Sequence, residues 1–143
     1  MHVDGTCHCG YITYTAEIDP ATVVICHCTD CQVLSSSAFR MVVLAASGSF
    51  RKLSGEPTEY VKIADSGRKR SHWFCPRCGT QMWATPPGDN PEQHYGLRVG
   101  TIRQRAELEP SRQLWCRSAF GWIGGIDAIP STESASLTPP PRA

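Results

Sequence analysis

Phe74-Cys75-Pro76-Arg77-Cys78-Gly79-Thr80 is the stretch that decides the fold. Two thiols at this spacing, followed by glycine, form a knuckle: the chain turns tightly beneath a metal ion, and Gly79 lets the backbone come close. Residues 71–74 lead into the turn and residues 81–84 lead out of it, so the knuckle joins two short strands. It supplies two of the four ligands that a tetrahedral site needs. Cys7-His8-Cys9-Gly10 offers the other two. A four-cysteine site built from Cys7, Cys9, Cys75 and Cys78 would clamp distant parts of the chain together. Structural zinc contributes about 10–16 kcal/mol to folding, which exceeds the whole net stability of many domains. Small buried hydrophobes, the alternative use of cysteine, do not account for two close pairs.

A third cluster differs. Cys26-His27-Cys28-Thr29-Asp30-Cys31 places three thiols within six residues. Three protein ligands with one open position is the pattern of a catalytic zinc. Such an ion can polarise a carbonyl, lower the pKa of bound water, or hold an incoming thiol as its thiolate. Three thiolates leave the site with a formal charge of −1, which suits exchanging sulfur better than making hydroxide. Two other readings stand beside this one. A fourth protein ligand (Cys116, His72 or Asp30) would close the site, or Cys28 and Cys31 would form a redox pair and leave Cys26 spare. His8 and His27 each lie between two cysteines. Ligands on both neighbours turn the intervening side chain away, so neither is named as a ligand; each supports the cluster or faces solvent.

Composition narrows the context. The chain has 143 residues, 41% hydrophobic and 19% charged, with eight cysteines and a net charge of +1. That is one globular domain, without the basic excess of nucleic-acid proteins. Residues 1–5 show no apolar run of a secretory signal, and residues 41–46, the longest apolar run, are too short to span a membrane. The cysteines are therefore expected as reduced thiols in a cytoplasmic protein, free to bind metal. Arg68-Lys69-Arg70 reads as a solvated turn.

The rest of the chain reads as short strands separated by turns. Residues 11–18 alternate, with Ile12, Tyr14, Ala16 and Ile18 on one face. Residues 22–25, 50–53, 59–64 and 95–99 are further strands, and the nearly continuous apolar run 39–44 reads as a buried one. Residues 86–91 form a Pro/Gly loop. Residues 111–122 fit either a short helix or a strand, and residues 121–125 a tight turn. Spacing of this kind points to a mainly β, antiparallel architecture with little helix. The domain is expected over residues 1–130, and residues 131–143, rich in Ser, Thr and Pro, as a tail. The four tryptophans are expected in the core or at its rim.

These clusters, in this order, resemble the glutathione-dependent formaldehyde-activating enzyme family, which includes centromere-protein-V-like proteins. The resemblance is carried by Gly5-Thr6-Cys7-His8-Cys9-Gly10, Cys26-His27-Cys28-Thr29-Asp30-Cys31-Gln32, Ser37-Ala38-Phe39, Ser66-Gly67 with Arg70, residues 74–80, Val99-Gly100-Thr101 and, more weakly, residues 122–130. It implies an Mss4-like (β-tent) fold with two zinc ions per chain. Cys7, Cys9, Cys75 and Cys78 match the structural site, and Cys26, Cys28 and Cys31 match the catalytic one. It implies carbon–sulfur lyase chemistry: a small aldehyde, formaldehyde, joined to a small-molecule thiol such as glutathione, with no nucleic-acid or membrane partner. Two positions depart from the family, which often has a basic residue where Val33 stands and a glycine where Ser36 stands. A non-catalytic zinc-binding thiol carrier or protein-interaction module is the alternative. A methionine sulfoxide reductase, which shares the tent-like fold, would have to use Cys116.

Overall fold

A computed structural model describes residues 1–88, 90 and 93–135. Most of the expected tail (136–143) and three residues of the expected 86–91 loop or its edge (89, 91 and 92) lie outside them. The described residues form ten strands: β1 His2–Thr6, β2 Thr13–Glu17, β3 Val24–Cys26, β4 Arg40–Leu44, β5 Arg51–Ser54, β6 Thr58–Ile63, β7 Lys69–Phe74, β8 Gln81–Thr85, β9 Gly96–Arg98 and β10 Arg112–Leu114. One α-helix, α1 Thr29–Ser35, occurs among the described residues. The fold is mainly β, as the strand and turn spacing indicated. No helix among the described residues is long and apolar enough to cross a membrane.

The strands form two sheets. One has three strands in the order β1-β2-β5, and the other seven in the order β10-β3-β4-β9-β8-β7-β6. The alternation in β2 does what period 2 demands: Tyr14 and Ala16 are buried, and Ile12 and Ile18 continue their face. Facing them, Val43, Leu97 and Trp83 stand side by side across β4, β9 and β8. Side chains directly opposite on paired strands share a face, so this row presents one apolar surface to the small sheet. Tyr14 and Phe50 meet Trp83 edge-on, at 5.6 and 4.8 Å between ring centroids. Each such buried side chain contributes on the order of 1.5–3 kcal/mol.

Gly5 is required by this packing. A Cβ there would lie 2.0 Å from Cζ of Tyr14, its partner in the β1–β2 register. The Tyr14 ring therefore crosses β1 where a side chain is missing, and its hydroxyl reaches Thr101 Oγ1 at 2.8 Å.

The structure corrects several local expectations. β1 pairs along its whole length with β2, although residues 2–6 carry no strong strand pattern. β10 runs parallel to β3, not antiparallel. The run 39–44 is not buried on both faces: Val43 enters the core, whereas Leu44 is exposed and Val42 borders an open cavity. β6 is a largely exposed edge strand. Lys69 and Arg70 belong to β7 and not to a turn, and Arg70 is half-buried. Residues 121–125 lead into a 3-10 segment, Ile123–Ala128. Trp83 is a core residue as expected, but Trp115 and Trp122 are exposed.

Candidate functional site

The first cluster joins the small sheet to the large one. Cys7 and Cys9 follow β1 directly, and Cys75 and Cys78 stand in the turn between β7 and β8. The knuckle closes through Gly79 N–H donating to the Cys75 carbonyl (2.8 Å) and Cys75 N–H donating to the Thr80 carbonyl (2.9 Å), with Gly79 at φ 74°. Thr80 ties the halves together. Its Oγ1 accepts the His8 N–H at 3.1 Å and lies 3.2 Å from Cys78 Sγ. That hydroxyl, with the Thr80 N–H, brings the Cys78 thiol down to about 5. Cys7 Sγ accepts the Ile12 N–H at 3.2 Å. The four sulfurs lie within 4.8 Å of one another, and none is paired in a disulfide. His8 is exposed and contributes only its backbone.

The second cluster straddles a strand end and a helix start. Cys26 is the last residue of β3, Cys28 caps α1, and Cys31 lies in its first turn. Cys28 Sγ accepts the Cys31 N–H at 3.3 Å, so the thiol takes the place usually held by a Ser or Asp oxygen. The three sulfurs lie within 4.8 Å of one another. Their ionisations oppose each other. Burial, and then the Cys26 and Cys28 sulfurs, push the Cys31 thiol above its ordinary value. Cys28 moves down: burial works against it, but the Cys31 N–H and the neighbouring sulfurs outweigh burial. Three thiolates in so small a volume need a cation among them.

None of the three candidates for a fourth ligand joins this group. Asp30 pairs with Lys62. His72 Nδ1 accepts from Arg98 Nη2 at 3.0 Å, and Cys116 is exposed. His27 does not face solvent. It is fully buried, edge-on to Phe39, with Nε2 2.7 Å from Gln113 Oε1 on β10. Gln32 Nε2 donates to the His27 carbonyl at 2.9 Å and to the Ser118 carbonyl at 2.8 Å, which fastens the cluster to the chain beyond β10.

Cys26, Cys28 and Cys31 open onto a cavity of about 460 Å³ over the outer face of the large sheet. Strand register explains its lining. Leu114, Cys26 and Arg40 form one cross-strand row, and Arg112, Val24, Val42 and Arg98 form the next. His72 stands opposite Ala84, and Arg70 opposite Lys62. The alternation that sends Val43 and Leu97 inward thus sends Arg40, Val42 and Arg98 outward into the cavity. Gly96 keeps the floor low: a Cβ there would stand 3.4 Å from Arg70 Nη2. A larger cavity of about 810 Å³ lies beside it, bordered by Thr80, Thr101 and Ser36, and shares Arg40 and Arg98 with the first.

These arginines are the site residues that sequence reasoning missed; only Arg70 was noted, within the family resemblance. The available signal was a lone arginine in an otherwise apolar strand (Arg40 in β4, Arg98 in β9). Burial, with Arg40 nearby, pulls the Arg98 guanidinium well below its ordinary value. The same burial and the charges of Arg98, Arg40, Arg70 and Lys62 take His72 down to about 4, so it is neutral at pH 7. With Nδ1 accepting from Arg98, its proton sits on Nε2. Val33, where the resemblance implied a basic residue, is 76% exposed and does not border the cavity. Ser36, where the resemblance implied a glycine, caps α1 at φ 52°, in the left-handed region that favours glycine.

The crystal structure of a Rhodobacter sphaeroides protein, a structural genomics target, superposes with a TM-score of 0.56 at 24% identity, covering 77% of this chain and 98% of that one. It supports the fold. The family model for the glutathione-dependent formaldehyde-activating enzyme matches residues 2–118, and the chain, with its two cysteine clusters, belongs to that family.

Proposed function

We propose that the chain is a cytoplasmic, zinc-dependent enzyme of the carbon–sulfur lyase type, joining a thiol such as glutathione to a small aldehyde such as formaldehyde. The observation that carries the reading is a three-sulfur cluster that opens onto a cavity, with no fourth protein ligand among the described residues. The donors fit the metal. Soft thiolates select zinc, and four sulfurs about 2.3 Å from one ion stand about 3.8 Å apart. In the first cluster Cys7–Cys9 and Cys9–Cys75 are 3.6 and 3.8 Å apart.

Cys7, Cys9, Cys75 and Cys78 would hold a structural ion, and Cys26, Cys28 and Cys31 a reactive one. Zinc in the second cluster supplies a soft positive partner that keeps sulfur as thiolate at neutral pH. The protein orients the reactants and restricts water. In the reaction a carbon–sulfur bond forms at the aldehyde carbon, the carbonyl π electrons move to oxygen, and the proton lost from the thiol ends on that oxygen. Arg40 and Arg98 border the same cavity and would attract a developing negative charge toward the three sulfurs. Val24, Val42 and Leu114 make the walls apolar, which strengthens those interactions.

The test is metal content together with adduct formation followed by NMR. Cys31→Ser should retain one zinc ion of two, melt within a few degrees of wild type and lose the catalysed rate. Cys75→Ser should lose the fold itself. A Cys31→Ser protein that keeps both ions, or that unfolds like Cys75→Ser, overturns the division into two sites.

A further inference from the structure

A further cavity, of about 270 Å³, has aromatic walls made by Phe50, Trp73, Trp83 and Tyr95. None of the seven clustered cysteines borders it, and it shares no lining residue with the two larger cavities. Strand alternation places it on the other side of the large sheet. His72 faces the outer cavity, so Trp73 faces inward beside Trp83, its partner in the β7–β8 register. Phe50 comes from the chain entering β5, and Tyr95 from the chain entering β9. The volume lies just below the common range of small-molecule sites, which suits one compact group.

The ring planes decide the shape of that group. Phe50 and Tyr95 stack with centroids 4.0 Å apart and planes 10° from parallel, so no third ring fits between them. Trp83 stands at 62° to Phe50 and 59° to Tyr95. Rings set at such angles make a box and not a slot, which suits a rounded group above a flat one. The polar groups decide the charge. The Trp73 indole N–H donates to Thr85 Oγ1 at 3.1 Å, and Gln93 Nε2 donates to the Tyr95 hydroxyl at 3.3 Å. Gln93, which borders the cavity, keeps a buried Oε1 with no hydrogen-bond partner. Leaving an acceptor so costs free energy that a ligand N–H would recover. Aromatic faces attract cations, and the charge of Lys52 at the rim is offset by its pairing with Glu56.

We propose that this aromatic box is a separate binding site, for the N-methylated ammonium group of a small amine that keeps one N–H. The methyl groups and the positive charge meet the rings, and the N–H meets Gln93 Oε1. The site does not depend on the three-cysteine centre or on the chemistry proposed there.

The experiment is calorimetric titration of the zinc-loaded protein with three probes, alongside NMR of the indole N–H groups. N,N-dimethylethanolamine is protonated at neutral pH and keeps an N–H. Choline is charged but has none, and 3,3-dimethyl-1-butanol has choline's shape without its charge. Affinity should fall in that order, with the first probe about tenfold or more above the alcohol. The indole signals of Trp73 and Trp83 should shift, and those of the exposed Trp115 and Trp122 should stay. Trp73→Leu should weaken the amine about tenfold, and Trp73→Phe, which keeps a ring, by less. Two rim variants leave the packing alone. Glu56→Gln should weaken the amine about threefold, and Lys52→Gln should strengthen it by a similar factor. A purely structural ion pair would not give effects of opposite sign. Equal affinity for the alcohol, choline binding as tightly as dimethylethanolamine, rim variants that shift affinity the same way, or NMR shifts confined to Trp115 and Trp122 overturn the proposal.

Discussion

His72 faces Arg40, Arg70, Arg98 and Lys62 from a buried position, and burial followed by those charges takes it to about 4. Its ordinary value is near 6.5, so between the two the unfolded chain binds a proton that the folded chain refuses. Stability is therefore fully present above about pH 6.5 and falls as the pH drops toward 4, by up to about 3 kcal/mol. Denaturant unfolding of wild type and His72→Gln should show it. The two curves of stability against pH should diverge below pH 6.5, with wild type losing more, while loss of metal from the cysteines acts on both. At this scale the sequence was legible where chemistry is local. Seven cysteines fall into two close pairs and one triplet because neighbouring ligands of an ion tend to lie two or three positions apart. The arginines were hidden because Arg40, Arg70 and Arg98 meet only through strand pairing, and Arg70 read as part of an exposed basic run.

Helix α1 has a thiol at one end and a strained residue at the other. Ser36 holds φ 52°, which costs a residue with a side chain roughly 1 kcal/mol relative to glycine. Ser36→Gly should raise stability by about that amount in chemical denaturation, with zinc content unchanged. Gly5 is the opposite case. Gly5→Ala forces the Tyr14 ring or the β1–β2 pair to move, and should lower stability toward the upper end of about 1–3 kcal/mol, checked by the same measurement. Strands such as β2 were readable from alternation because one face meets the core. The helix was not, since in residues 29–35 the metal-ligand spacing and polar residues give no apolar stripe, and the cap is a cysteine. The parallel pairing of β10 with β3 joins segments far apart in sequence, and a three-residue strand leaves no periodicity to detect.

For the molecule as a whole, the first cluster is a joint between sheets and the second borders the cavity over the large sheet. Chelation should separate them. A mild chelator is expected to remove one ion with little change in circular dichroism, and a stronger one at higher temperature to remove the second together with the β signal. A single-step loss of both would contradict two independent centres. The route of the chain through these parts also sets a schedule. All seven clustered cysteines have emerged by residue 78, whereas Arg98 follows and β10, which flanks Cys26, ends at Leu114. At ribosomal rates of about 5–20 residues per second, that gap lasts a few seconds. A growing chain thus has all seven clustered thiols in place before its cavity can form, and any ion they capture during synthesis would be bound ahead of the cavity.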